Sequence, residues 1–366
     1  MSTSILTIKT PGKLNIAGEF AVLEPYKKMA TMAVDRFVYT TILSNNKCLL
    51  SLDNFDLLNV EWTFTKQNVH IMSEDKRVSF VESAMSIAIR YLEENKFSWS
   101  PFKLSVNSEL ADKSGVKYGL GSSAAVSVSV ITAILHKFLQ KKPDPSLIFR
   151  LAAISHAKTQ GNGSGADVAA SSFGGVIEYS SFQAYWLNEV YQSTDQVIEL
   201  VKRDWPFLSI RPIQIPDHVY ICIGWTGKPA STPKLVDKVL QLKQDNPTKF
   251  AHFLTESEQA VEKFMNGMQA SDIPLILEGI KQNRMALRTV GQNANVEIET
   301  PSLSKLCDLA ELHGGAGKPS GAGGGDSGIA FMPSESSAKA LMKAWEQEGI
   351  KPLDLKISTS GSIILE

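Results

Sequence analysis

The stretch Gly119-Leu120-Gly121-Ser122-Ser123-Ala124-Ala125 stands directly before an apolar run that lasts to about Leu139, and few folds accommodate that junction. Within the run, Ala125, Val128, Ile131, Thr132, Leu135 and Leu139 fall on one helical face. The alternation of Val126, Val128 and Val130 with serines would also suit a strand, but the run is longer than strands usually are, and its length predicts a helix. A glycine turn that feeds small residues into a helix start leaves backbone N–H groups facing outward, with the positive end of the helix dipole behind them. Phosphate is the natural guest of such a place. The lysine that follows the last glycine of a Walker-type loop is missing, so this is a phosphate turn of another kind. Ser122 and Ser123 add hydroxyls that could cap the helix or ligate a magnesium ion bound to the phosphate.

Three further segments carry the same kind of signal. Thr159 to Gly175, "TQGNGSGADVAASSFGG", sets Asp167 among small residues after a glycine-rich turn, where an aspartate is most simply a helix cap. His313 to Met332 is dense in glycine and then returns to a strand-like run, which fits either close backbone approach to a ligand or a mobile surface loop. Near the start, "PGKLNIAGEFAVLEP" places Lys13 beside Gly12 in a stretch leaving a strand.

Composition makes any anion site a local feature. With 366 residues, 43% hydrophobic and 20% charged, and a formal net charge of −1, the chain has no overall pull toward nucleic acid or an anionic membrane. Its length suits two domains or one large two-lobed unit. Cys48, Cys222 and Cys307 are far apart and show no CxxC pairing, so they read as reduced packing residues. His70, His136, His218, His252 and His313 form no metal-ligand spacing. The first residues lack the pattern of a secretory leader and no run approaches the roughly 20 apolar residues of a membrane span, so a cytoplasmic protein is expected.

Strands and helices are mixed throughout. "SILTIKTP", "FVYTTIL", "FKLSVNS" and "GGVIEYS" read as strands, and "VSFVESAMSIAIRYLEEN" as an amphipathic helix. "HVYICIGWT" reads as a buried strand, "STPKLVDKVLQLKQ" as a helix capped near Ser231 or Thr232, and "FAHFLTESEQAVEKFMNGM" as another helix. Residues 180–215 show no clear period and are the expected crossing between lobes. Lys281, Arg284 and Arg288 recur at helical spacing and suggest a solvated basic face. Trp62, Trp99 and Tyr118 are aromatics that could border a nucleobase or simply pack.

Taken in order, "PGKLNIAGEFAVL", "GLGSSAA", "GNGSGADVAAS" and "KPSGAGGGDSGIAF" resemble the GHMP kinase family, over essentially the whole chain. With "GEFAVLEP" and "GWTGKPAST" the likeness is greatest to the bacterial phosphomevalonate kinases. The resemblance implies an α+β GHMP kinase fold: an N-terminal mixed α/β lobe over about 1–210, a C-terminal ferredoxin-like lobe over about 211–366, and an active site in the cleft between them. It implies ATP and Mg2+, with transfer of a phosphoryl group to 5-phosphomevalonate, in a monomer or homodimer. Lys13 and Asp167 match the catalytic pair. Lys117, Gly119, Leu120, Gly121, Ser122, Ser123 and Ala124 match the ATP-phosphate turn, with Ser123 also the magnesium contact. Ser164, Gly321, Gly323 and Gly324 match the substrate side, together with Lys13 and Asp167. Lys228, with Ser231 and Thr232, is the expected grip on the acceptor's own phosphate. One position departs: mevalonate kinases carry a magnesium-ligating glutamate eleven residues before the aspartate, and His156, a poor ligand for that hard ion, stands there. A mevalonate kinase, a diphosphomevalonate decarboxylase and a catalytically silent ligand-binding protein of the same fold remain open readings.

Overall fold

The computed structural model describes residues 5–112, 115–194, 196–228 and 232–365. The first half of the chain runs β1 (Leu6–Ala17), β2 (Lys28–Ser44), β3 (Leu49–Leu52), β4 (Leu57–Thr65), β5 (Asn68–Ile71), α1 (Ser79–Glu94), β6 (Phe102–Ser108), α2 (Ser122–Phe138), α3 (Pro145–Gln160), α4 (Ala166–Phe173), β7 (Val176–Ser180), α5 (Ala184–Ser193), α6 (Val197–Lys202) and β8 (Ser209–Ile213). The second runs β9 (Tyr220–Trp225), α7 (Thr232–Asp245), α8 (Pro247–Ala270), α9 (Ile273–Asn293), α10 (Pro301–Leu312), β10 (Ala316–Pro319), β11 (Ser327–Met332), α11 (Glu335–Gln347), β12 (Lys351–Leu353) and β13 (Ile363–Ile364).

Among the described residues the first sheet has nine strands, in the order β13-β1-β2-β6-β3-β4-β5, with β7 on β2 and β8 on β7. Only the β3–β6 pairing is parallel. The long strand β2 organises it, pairing β7 through Lys28–Met32 and β6 through Val38–Ser44 while β1 runs along its other edge. The β1–β2 register shifts at Pro11/Gly12 and again at Asn15/Ala17, so Lys13 sits in a short segment between two irregularities. A proline cannot donate to the ladder, which suits a break there, and such breaks commonly re-aim a side chain. Helix α2 is buried from Ala124 to Leu135 apart from Val126 and packs on β1 and β2 with α1, α3 and α4 around it, its buried Ser127, Ser129 and Thr132 hydroxyls donating to Ser123 O, the Thr40 hydroxyl and Val128 O.

The second sheet is antiparallel, in the order β10-β11-β9-β12. Strand, helices, two strands, helix, strand in that spatial order is the ferredoxin-like arrangement, with α7 to α10 all placed in the first crossover. One face buries Cys222, Leu306, Cys307, Leu341 and Trp345. On the other, Ile329 and Phe331 join Phe264, Ile276 and Ile280 in a core continuous with that of the first sheet.

Several expectations shift in detail. The changeover expected at 210/211 would cut β8, which pairs with β7 in the first sheet; the chain leaves that sheet over 214–219. The last strand, β13, returns to β1, so the end of the chain also belongs to the first sheet. The segment expected to cross between lobes at 180–215 is instead anchored to the first lobe, where Trp205 is buried against Phe149, Phe182 and Trp186 and β8 pairs with β7. The glycine-dense segment is a buried hairpin, β10 to β11, and not a mobile loop. Of the basic stripe, Lys281 and Arg288 are exposed, but Arg284 is buried and ion-paired with Glu299, Asp308 and Glu311. The three cysteines are free, and burial pushes the Cys222 thiol up to about 12. No helix among the described residues is long and apolar enough to cross a membrane.

Candidate active site

A cleft of about 760 Å³ lies where the end of β1, the starts of α2 and α4 and the β10–β11 turn meet. Both helices open there from a glycine in the left-handed region, Gly121 (φ 72°) and Gly165 (φ 77°), and neither has a side-chain cap. At α2 the first N–H groups are therefore not consumed by its own sequence, whereas at α4 the Ser164 hydroxyl accepts the Ala166 N–H at 3.3 Å and Asp167 accepts the Val168 N–H. At Gly121 a side chain would fail twice over, since φ is positive and a Cβ would lie 2.8 Å from Lys13 Cγ and 3.5 Å from Asp167 Cβ. That closeness brings Lys13 and Asp167 to the same point in front of α2. At Gly165 a Cβ would lie 2.5 Å from Phe182, and the turn is held from behind by the Tyr179 hydroxyl donating to the Ser164 carbonyl at 2.6 Å.

Asp167 is the second residue of α4, not its cap, because Gly165 holds the capping place. One of its oxygens accepts the Val168 N–H at 2.9 Å and the residue lines the cleft. Lys13 is 8% exposed; its N–H donates to Leu120 O at 2.9 Å and its ammonium to Gly119 O at 3.2 Å. Burial lowers its pKa below the usual lysine value, while Asp167, Asp326 and Glu19 pull it back up and Lys318 opposes them. Asp326, with φ 51°, packs against the turn that opens α2: a Cβ on Gly119 would come within 2.7 Å of it.

The cleft gathers Lys13, Lys117, Gly119, Gly121, Ser122, Ser123, Ser164, Asp167, Gly321 and Gly323 from the expected set. Leu120 and Ala124 are buried in the core, so only their backbones belong to the turn. Gly324 faces α7, with a Cβ position 2.8 Å from Leu235, and its N–H donates to Ile298 O at 2.8 Å. Lys228 is exposed and does not line the cleft, though its carbonyl accepts the Asp326 N–H at 2.6 Å. Ser231 lies outside the described residues, as does the side chain of Thr232, where α7 begins.

Other lining residues carried little or no signal in the sequence: Asn15, Glu19, Phe80, Gln160 and Ser320. His156 is also there, sharing a 3.1 Å hydrogen bond with the Ser123 hydroxyl while its ring lies 5.3 Å from that of Phe80. Trp62 and Trp99 stack on each other in the first core, away from the cleft, and Tyr118 packs on Trp225. The sign that could have found Glu19 is a lone carboxylate between Gly18 and the apolar Phe20-Ala21-Val22, matched by a lone lysine, Lys318, inside the glycine-dense segment.

Comparison with known proteins agrees with this geometry. Residues 80–175 match the model of the GHMP kinases N terminal domain and 259–351 that of the GHMP kinases C terminal. The chain is 32% identical to a phosphomevalonate kinase of Streptomyces sp. (strain CL190), over 99% of this chain and all of the relative. It superposes with a TM-score of 0.93 on a Lin0012 protein from Listeria innocua, 36% identical, covering 99% of this chain and 100% of the other. The TM-score is 0.83 with the Streptococcus pneumoniae phosphomevalonate kinase in complex with phosphomevalonate and AMPPNP, 25% identical, covering 96% and 99%. Two lobes joined at a glycine-lined cleft, matched by both family models and by a full-length relative, establish that the chain belongs to the GHMP kinase family and is a phosphotransferase.

Proposed function

We propose that the chain is a phosphomevalonate kinase, moving the γ-phosphoryl group of ATP onto the phosphate of (R)-5-phosphomevalonate to give (R)-5-diphosphomevalonate and ADP. The observation that carries this reading is the convergence of the uncapped start of α2, Asp167 at the start of α4 and the buried Lys13 on one cleft of a size to hold both substrates. The full-length likeness to the Streptomyces enzyme, and the ligands named for the Streptococcus complex, support the choice of acceptor and donor.

In this reading an oxygen of the acceptor phosphate attacks the γ-phosphorus, the bond to the bridging β–γ oxygen breaks, and ADP leaves with the electron pair. Such transfer depends on alignment and charge neutralisation. The N–H groups that open α2, with Lys117, would take the donor's phosphates. Lys13 would steady the group in flight. A phosphate monoester has a second pKa of about 6 and is already ionised at neutral pH, so Asp167 need only align the acceptor and hold Lys13. Ser164 and the turn through Gly321 and Gly323 would back the acceptor, and the exposed Lys228, next to the cleft through its carbonyl on Asp326, would reach its phosphate from outside the lining.

Magnesium fits the donor set, since the Ser123 hydroxyl and the carboxylates of Asp167 and Asp326 line the cleft as hard oxygens. Among the described residues no three or more His, Cys, Asp or Glu form a metal cluster, so phosphate oxygens and water would complete its shell. Bound there, the ion would offset the charge of the nucleotide phosphates.

The test is ADP release from MgATP with mevalonate, 5-phosphomevalonate and 5-diphosphomevalonate offered separately. Turnover confined to 5-phosphomevalonate is expected. Turnover with mevalonate, or carbon dioxide release from the diphosphate, would move the chain within its family, and no turnover with any would leave a silent ligand-binding protein.

A further inference from the structure

Lys318 is fully buried, at 0% exposure, and its ammonium meets Glu19 Oε1 at 2.5 Å and the Pro319 carbonyl at 2.6 Å. Glu19, itself 3% exposed, comes from the turn after β1, whereas Lys318 lies in β10, so the pair joins the two sheets at the cleft. The same Glu19 oxygen accepts the Gly321 N–H at 3.2 Å. Beside it the Ser320 hydroxyl donates to Asn15 O at 2.8 Å and accepts the Asn15 N–H at 3.1 Å. Residues 318–321 are thus fastened at three points to the chain just beyond Lys13.

A buried ion pair of this kind is a poor stability device, because the desolvation of two charges roughly cancels their attraction. What it does supply is a fixed position. The turn that follows, Gly321 to Asp326, is mostly glycine; Ile298 O and Lys228 O hold its later residues and Glu19 holds its first, and a shift of about 1 Å at a reacting centre can cost about 100-fold in rate. Glu19 and Lys318 also oppose each other at Lys13, so the pair adds little net charge to the place where the transferring group must sit. The mechanism above uses neither residue.

We propose that Glu19 and Lys318 are positioning residues that hold the Gly321–Asp326 turn, and with it the acceptor, in register with Lys13. This rests on the two-substrate reading of the cleft given above. The acceptor in the test is whichever compound the wild-type enzyme turns over, so failure of 5-phosphomevalonate would overturn that reading and leave this experiment intact. The variants are E19D, K318M and E19Q/K318M in the full chain, with melting curves and KM measured for each substrate. E19D keeps a charge opposite Lys318 but is one methylene too short to hold Gly321 as well. The double variant removes both buried charges and so relieves the cost of leaving one unpaired. Expected is an acceptor KM raised about tenfold or more in E19D and K318M, with the MgATP KM within about twofold. In E19Q/K318M the melting temperature should recover relative to K318M while the acceptor KM stays raised. Equal effects on both substrates, or a double variant in which acceptor KM recovers together with stability, would overturn the proposal and leave a purely structural pair.

Discussion

Two sets of helix starts in this molecule are built differently. Outside the cleft α3, α8, α9 and α10 open from Asp144, Asn246, Asp272 and Thr300, each accepting the backbone N–H of the third helical residue, with proline in the first or second position. At the cleft α2 and α4 open from left-handed glycines with no side-chain cap. The first set satisfies its own donors and shields the helix end; α2 leaves its donors and dipole exposed toward the point where Lys13 and Asp167 also arrive, while at α4 Ser164 and Asp167 take the Ala166 and Val168 N–H groups. On the proposed reading the donor's polyphosphate finishes the start of α2.

The contrast can be broken most severely from the cleft side. Lys13→Met removes the buried cation among Asp167, Asp326 and Glu19 and should lower kcat by about 1,000-fold or more, read by ADP release, with the melting curve as a control for folding. Lys228→Ala acts at the rim, where the side chain is exposed; KM for the acceptor should rise about tenfold with that for MgATP little changed, and equal effects on both would remove Lys228 from the acceptor side.

A pH profile sharpens the comparison without disturbing packing. Burial lowers the Lys13 pKa, so its cation is complete well below that value and is lost as pH rises through it, earlier than for an ordinary lysine. The alkaline limb of kcat should reflect this. Because the Asp326 charge raises the Lys13 pKa, Asp326→Asn should move that limb to lower pH, and an unmoved limb would mean that Lys13 does not govern it. The smallest effect belongs to the finished helix starts. Thr300→Ala should cost about 1 kcal/mol of stability by denaturant unfolding and leave both KM values and kcat unchanged.

Much of the cleft was legible because glycine and small residues are costly inside regular structure unless a turn or a close approach requires them. The start of α2 and the alternation in the strands could be read locally. What could not be read was set by contacts distant in sequence. Glu19 and Lys318 gain meaning only when a turn near the start meets a strand 299 residues later. Arg284 looked like one of three solvated cations, yet its carboxylates come from the Glu299 turn and from α10. The segment 180–215 lacked a period because its order comes from the burial of Trp205 among aromatics of α3, α5 and the turn at Phe182.

Whether the unfinished start of α2 binds the donor's phosphates is decided by calorimetric titration of MgATP into the wild type and Gly121→Ala. The added methyl would press on Lys13 and force a left-handed alanine, costing about 1–2 kcal/mol of stability. MgATP affinity should fall about tenfold or more in protein that still melts cooperatively. An affinity equal to that of the wild type would contradict phosphate binding there.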